Sequence, residues 1–346
     1  MSKSRKKNVT IKDVARVAGV SITTVSNVLN SRLDAMSDET LQRIIKVMHE
    51  LDYRPNALAR GLVTRHTATI GVIVAEIETP LFLHALNTIE PIARDAGYSV
   101  LMSNARDAEE EVQMLQVLLE KRVDGLIFLS VSQELDNDYV LELERLQVPT
   151  ALVNRAINYE NLDLINWDDT NGVIQAMEYL IRLGHRHIAH LRGPKGRLSG
   201  KNRLKGYRTA LKEHDLEYLR DYVRSGDYTS TPETWQRSTL ELLALSPRPT
   251  AILASDDIVA AIAIKTVQQS GLRVPQDVSI VGIDDQHFGS YLNPALTTVR
   301  LPVLEAGKRA VEMVLERIAG RRAEAEHVVL PCSLVVRDSC ATPPAP

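Results

Sequence analysis

From Thr69 onward the chain alternates short runs of aliphatic and β-branched residues with longer amphipathic stretches, and few folds accommodate that order. Residues 70–75, 99–103, 125–130, 150–154, 162–167, 187–191, 250–254 and 278–283 read as strands. Helical periodicity fills the gaps, as in 109–121, 171–183 and 257–270. Strand–helix–strand order running one way requires parallel sheets covered on both faces. About 270 residues are too many for one such sheet and predict two lobes. Aromatic residues are only 4% of the chain, so Val, Ile, Leu and Ala must fill these cores. Pro91 falls inside a helical stretch, 81–96, and predicts a kink there.

The first sixty residues follow a different pattern. Thr10 followed by Asp13 reads as an N-cap with an acid at the third helical position. Ile11, Val14, Ala15 and Ala18 then form one apolar face, and Gly19 ends the helix. Ser21 caps a second helix, whose Val25, Val28 and Leu29 face inward. Its other arc carries Ile22, Thr23, Ser26, Asn27 and Asn30. That face is short, polar and uncharged, which suits the base edges of a major groove. A third helix follows Ser37, with Leu41, Ile44, Ile45 and Met48 expected inside. Helix, short glycine turn, helix and packing helix make the helix-turn-helix pattern.

Charge divides along the same line. Residues 1–30 carry six Lys or Arg against one acid, Asp13, a net +5. Residues 31–60 balance, and the other 286 carry −8 within a total of −3. A basic end on an acidic body fits contact with a polyanion at that end. Cys332 and Cys340 show no metal or redox spacing and fit a reduced compartment. The residues after Lys7 are too polar for a signal peptide, and no apolar run reaches the roughly 18 residues of a membrane span. A cytoplasmic, nucleoid-associated setting without membrane contact is expected.

The run Val9-Thr10-Ile11-Lys12-Asp13-Val14-Ala15 through Gly19-Val20-Ser21-Ile22-Thr23-Thr24-Val25-Ser26-Asn27-Val28-Leu29-Asn30 resembles the headpiece of the LacI/GalR (lactose-repressor) family. Leu51-Asp52-Tyr53-Arg54-Pro55-Asn56-Ala57-Leu58-Ala59-Arg60-Gly61-Leu62 resembles its hinge. The resemblance continues over nearly the whole chain. It implies a small all-α headpiece at 1–54, a hinge at 55–66, and an α/β, two-lobed, periplasmic-binding-protein-like body at 67–341. In that family the chain crosses between lobes three times. One lobe would hold 67–166 and 298–328, the other 167–297 and 329–341. DNA contacts are then expected from Thr10, Ser21, Ile22, Thr23, Ser26, Asn27 and Asn30, with Asn56, Ala59 and Leu62 in the hinge. Pro55 starts a helix well, but the hinge is too short to be stable alone. Leu62 stands where the family wedges a leucine between bases, a device that kinks DNA.

Ligands of such folds sit beyond the strand C-terminal ends. By the resemblance, Asn154, Trp167, Arg203, Tyr228, Ser255 and Asp284 line an effector cleft, with Phe82, Arg197 and Ser199 as weaker matches. Arg203 offers a donor fork and Asp284 a two-oxygen acceptor, while Trp167 and Tyr228 offer flat faces for a ring. An Arg–Asp structural ion pair with two core aromatics is the plainer reading of the same residues. Asn154 replaces a common Asp, Ser255 a common Asn and Leu301 a common Gln, so no familiar effector transfers directly.

Other chemistries fail on their own terms. The segment Gly196-Arg197-Leu198-Ser199-Gly200-Lys201 lacks the first glycine and the final hydroxyl of a phosphate loop. His185, His187 and His190 have no acidic or thiol ligand nearby, so no metal is expected. The pairs Asp256-Asp257 and Asp284-Asp285 read as acids at helix starts. No catalytic residue and no cofactor is expected. The sequence therefore predicts a ligand-responsive transcriptional regulator, a repressor by expectation. Its partners would be a palindromic double-stranded operator, a second copy of the chain, and a sugar or similar small polar effector. A nucleoside- or purine-responsive regulator is the alternative, and a solute-binding protein or an enzyme the more distant ones.

Overall fold

A computed structural model describes residues 9–29, 36–53, 66–75, 80–129, 145, 147–155, 161–226 and 231–344. The chain divides into two compact units, Met1–Thr67 and Ala68–Pro346.

In the first unit, α1 (Ile11–Ala18), α2 (Ile22–Leu29) and α3 (Asp38–Glu50) enclose Val14, Ala15, Ala18, Val25, Ile44 and Val47. Gly19 ends α1 at φ 66°, a left-handed conformation that glycine adopts without the usual steric cost. Its N–H returns to the Ala15 carbonyl. One expectation fails on α3. Ile45 is 45% exposed, and Val47 is buried in its place. The helical period carries the buried stripe from Ile44 to Val47 and Met48, which turns Ile45 about 100° away from it.

The second unit holds two six-stranded sheets. In chain order its elements are β1 (Thr69–Ala75), α4 (Pro80–Asp95), β2 (Ser99–Ala105), α5 (Ala108–Glu120), β3 (Gly125–Leu129), β4 (Thr150–Val153) and β5 (Asp163–Trp167). There follow α6 (Asp169–Arg182), β6 (Ile188–Arg192), α7 (Leu198–Glu213), β7 (Val223–Ser225), α8 (Pro232–Leu243), β8 (Ala251–Ala254), α9 (Asp257–Gln269) and β9 (Ser279–Asp284). The chain closes with β10 (Thr297–Arg300), α10 (Val303–Ile318), β11 (His327–Leu330) and β12 (Ser333–Val335). The first sheet runs β11-β5-β4-β3-β1-β2, all parallel. The second runs β12-β10-β9-β8-β6-β7, parallel except for the edge strand β12.

Helices cover both faces of each sheet, as buried parallel strands require. Ala85 and Ile89 of α4 pack with Ala310 and Val314 of α10 on one face of the first sheet, and Leu115 and Leu118 of α5 on the other. Helices α4 and α10 approach closely at Gly307, where a Cβ would meet the Ala85 carbonyl oxygen at 2.8 Å. Helix α4 continues through Pro91 as one helix.

The chain passes from one sheet to the other after Trp167, after Arg300 and after Leu330. These crossings lie one, three and two residues beyond the expected boundaries. Two of them fall where proline stops the ladder: Pro302 follows β10 and Pro331 follows β11, and neither has an N–H to donate. Both cysteines are free. No described helix is long and apolar enough to cross a membrane.

Candidate functional site

On the headpiece, the cap residues define where the reading face begins. The Asp13 carboxylate accepts the Thr10 N–H at 3.0 Å and the Thr10 hydroxyl at 2.7 Å. Ser21 Oγ accepts the Thr24 N–H at 3.0 Å. Both hydroxyls are thus engaged in starting their helices, while their residues stay exposed. Ile22 is 45% exposed and Thr23 is also exposed, whereas Ser26 and Asn27 are half-buried beside them. Val25 is fully buried beneath this face. An aliphatic side chain held at the surface, next to short polar groups and with no acid, matches a floor of base edges. Asn30, Asn56, Ala59 and Leu62 lie outside the described residues, as does Tyr228 of the body.

In the body, Arg203 organises the cluster at the strand ends. It sits on α7, is 4% exposed, and donates from Nε to Asp169 Oδ1 at 2.8 Å. Its Nη1 donates to the carbonyl of Ser255, the residue after β8. Its Nη2 lies 3.8 Å from Asp284 Oδ1, at the end of β9. Ser255 Oγ donates to Asp256 Oδ2 at 3.0 Å, and Asp256 Oδ1 caps α9 by accepting the Val259 N–H at 2.8 Å. Three expected cleft residues, Arg203, Ser255 and Asp284, therefore meet. Trp167 packs against Phe82 with ring centroids 6.3 Å apart, both buried. Asn154, at φ 56° after β4, donates its N–H to the Ile165 carbonyl at 2.8 Å. Ser199 is buried in the first turn of α7, and Arg197 is the N-cap of that helix.

Two residues central to the cluster were not among the expected ligands. Asp169 opens α6 and holds Arg203; its neighbour Asp168 caps that helix, which hides Asp169 among ordinary first-turn acids. Asp257 does more than favour a helix dipole: it accepts the Gln286 N–H at 2.6 Å and the Thr298 hydroxyl at 2.5 Å. The pair Asp284-Asp285 stands at the end of β9, both with positive φ, and not at a helix start. Asp285 binds Arg300 at 2.6 Å and Arg337 at 2.5 Å.

Burial dominates the electrostatics. It raises the carboxyls of Asp169, Asp256 and Asp284, against the opposing pull of Arg203 on all three. Asp257 rises to about 7, first through burial. His190 falls to about 4 through burial, stacked on Tyr207 and bonded at Nδ1 to the Leu253 carbonyl. His185 ties Thr250 Oγ1 to the Ala341 carbonyl. These histidines serve the core and the tail, and no metal-holding group of three or more His, Cys, Asp or Glu occurs among the described residues. Two open cavities, of about 430 and 470 Å³, lie elsewhere: one by Asn161, Arg317 and Arg322, the other by Ile258, Lys265 and Leu292. The Arg203 cluster is closed over its own side chains.

A helix-turn-helix unit and a two-lobed α/β body with a polar cluster at its strand ends together define a class, the ligand-responsive DNA-binding regulators. Residues 10–56 match the bacterial regulatory proteins of the lacI family, and residues 177–340 match a periplasmic binding protein-like domain. The HTH-type transcriptional repressor PurR of Edwardsiella ictaluri is 35% identical over 97% of this chain and 98% of its own. That of Aliivibrio fischeri is 34% identical over 95% and 98%. The Lac repressor dimer bound to operator and the anti-inducer ONPF superposes with a TM-score of 0.85 at 30% identity, covering 97% of this chain and all of that one. The complex of the transcriptional regulator CelR with cellobiose gives 0.72 at 30% identity, over 96% and 99%. The chain belongs to the LacI family of bacterial transcriptional regulators.

Proposed function

We propose that the chain is a dimeric repressor that reads a palindromic operator through α2 and is switched by a small polar effector held at the Arg203 cluster. The observation that carries this is the meeting of Arg203, Ser255 and Asp284 in one buried network, on a chain whose α2 presents Ile22, Thr23 and Asn27 outward. Ligands of doubly wound sheets bind beyond the strand C-terminal ends, where these groups stand. The relatives that share this body over their full length include a dimer on its operator and a regulator with cellobiose, which supports both halves of the reading. Base contacts are assigned to Ile22, Thr23, Ser26 and Asn27. Effector contacts are assigned to Arg203, Asp284, Ser255, Asn154 and the Phe82–Trp167 pair.

The test separates the two halves. Arg203→Ala and Asp284→Ala are expected to abolish the effector's influence on DNA binding while leaving effector-free DNA binding intact in gel-shift titrations. A normal effector response in both variants returns the pair to a purely structural role.

A further inference from the structure

The polar atoms around Arg203 that find no partner set the kind of molecule the cluster takes. The argument rests on the reading of that cluster as the effector site. Asp169, Asp256 and Asp284 all feel the same cation, Arg203, and Asp284 also feels the charges of Asp256, Asp257 and Asp169. Arg203 spends its Nε on Asp169 and its Nη1 on a carbonyl. Its approach to Asp284, at 3.8 Å, is too long for a hydrogen bond.

Nearby, three side chains more than nine-tenths buried carry polar atoms with no hydrogen-bond partner: Asn154 Oδ1, Asp169 Oδ2 and Trp167 Nε1. They share one locality. Trp167 is the last residue of β5, the strand whose Ile165 carbonyl accepts the Asn154 N–H. Trp167 stands two residues before Asp169, close enough to be the weakest of the influences on that carboxyl after burial, Arg203 and Asp168. Neither Nε1 nor Oδ2 is nevertheless at bonding distance of a partner. Buried polar groups are rarely left unpaired without a reason. Here the imbalance has a direction: two open acceptors and the loosely held Asp284 carboxylate face one open donor. A molecule that fills the site must bring more hydrogen-bond donors than acceptors. A phosphate or carboxylate brings acceptors alone, and places negative charge among three carboxyls that share one guanidinium.

We propose that the cluster takes an uncharged or cationic polyhydroxylated ligand and discriminates against its phosphorylated or carboxylated forms. Ligand hydroxyls donate to Asp284, Asp169 Oδ2 and Asn154 Oδ1, and one ligand oxygen accepts the Trp167 N–H.

The test uses the full-length chain and matched probes: glucose with its phosphate ester and with glucuronate, ribose with its phosphate ester, adenosine with its monophosphate, and glucosamine. Thermal shift finds the binders, because a ligand of the native state raises Tm, and calorimetry ranks them. The expected result is that binders are neutral or cationic members, each at least about tenfold tighter than its anionic partner. Asp284→Asn, checked for folding by its DNA binding, is expected to narrow that gap. An anionic member that binds as tightly as its neutral partner, and loses binding in Arg203→Lys, overturns the charge class and leaves the effector site standing. Binding untouched by both Asp284→Asn and Arg203→Lys overturns the effector-site reading itself. A panel in which no neutral or cationic member raises Tm overturns the proposal.

Discussion

Asp257 shows how far burial moves a single side chain. Its carboxyl has an ordinary value of 3.8 and stands at about 7 in the fold, beside Asp256 and Asp285. Between those values the folded chain keeps a proton that the unfolded chain has lost. The group's contribution to stability is therefore complete below 3.8 and disappears as the pH rises through about 7. Denaturant melts across that interval are expected to show a flatter pH profile for Asp257→Asn than for the wild type; an unchanged profile contradicts the assignment. Arg155 gives a second prediction at this scale. It is buried with Glu111 and stacks over Phe128, its Cζ 5.2 Å from the ring centroid. Arg155→Met strands the carboxylate and is expected to cost about 3–5 kcal/mol in chemical denaturation. Neither residue was legible in the sequence as a constraint. A burial partner 44 positions away leaves no local spacing to read. Asp169 was missed for the opposite reason, since an acid in a first helical turn has an ordinary explanation already.

At the scale of elements, the long periodic segments were plain in the sequence. Helices 109–121, 171–183 and 257–270 were expected, and Ala108–Glu120, Asp169–Arg182 and Asp257–Gln269 are found. Strands β7, β10, β11 and β12 were not anticipated. They have three or four residues each, too few to show a period, and partners rather than propensity decide them. Helix α2 was readable because its two faces differ, with Val25 buried and Ile22 exposed. The family commonly carries an Arg where Asn27 stands. Asn pairs best with adenine and Arg with guanine, so Asn27→Arg is expected to move one operator position from A·T toward G·C. Discrimination of about 1–3 kcal/mol per bidentate contact makes that shift visible in sites selected from random DNA. Identical consensus sites for both proteins remove Asn27 from the base-reading set.

At the scale of the whole molecule, the sequence gave away two lobes and three crossings, because βαβ order and the family resemblance agree. It misplaced the crossings by a few residues, since strand pairing continues until a proline ends it, as at Pro302 and Pro331. The crossings matter for switching. Trp167 and Leu330 end strands of the first sheet, and Arg300 ends a strand of the second. Asp285 grips Arg300 just before one crossing and Arg337 just after β12. A ligand that draws on groups beside these crossings acts on the segments that join the lobes. The central claim is that one chain both reads a two-fold DNA sequence and senses a small polar molecule. Its most direct test is selection of bound sites from a random DNA pool by the full-length protein, followed by affinity titration of the selected site with and without a stabilising ligand. The account predicts a palindromic consensus whose affinity changes with the ligand in the wild type and stays fixed in Arg203→Ala. A pool with no palindromic enrichment, or a ligand response that persists without Arg203, contradicts it.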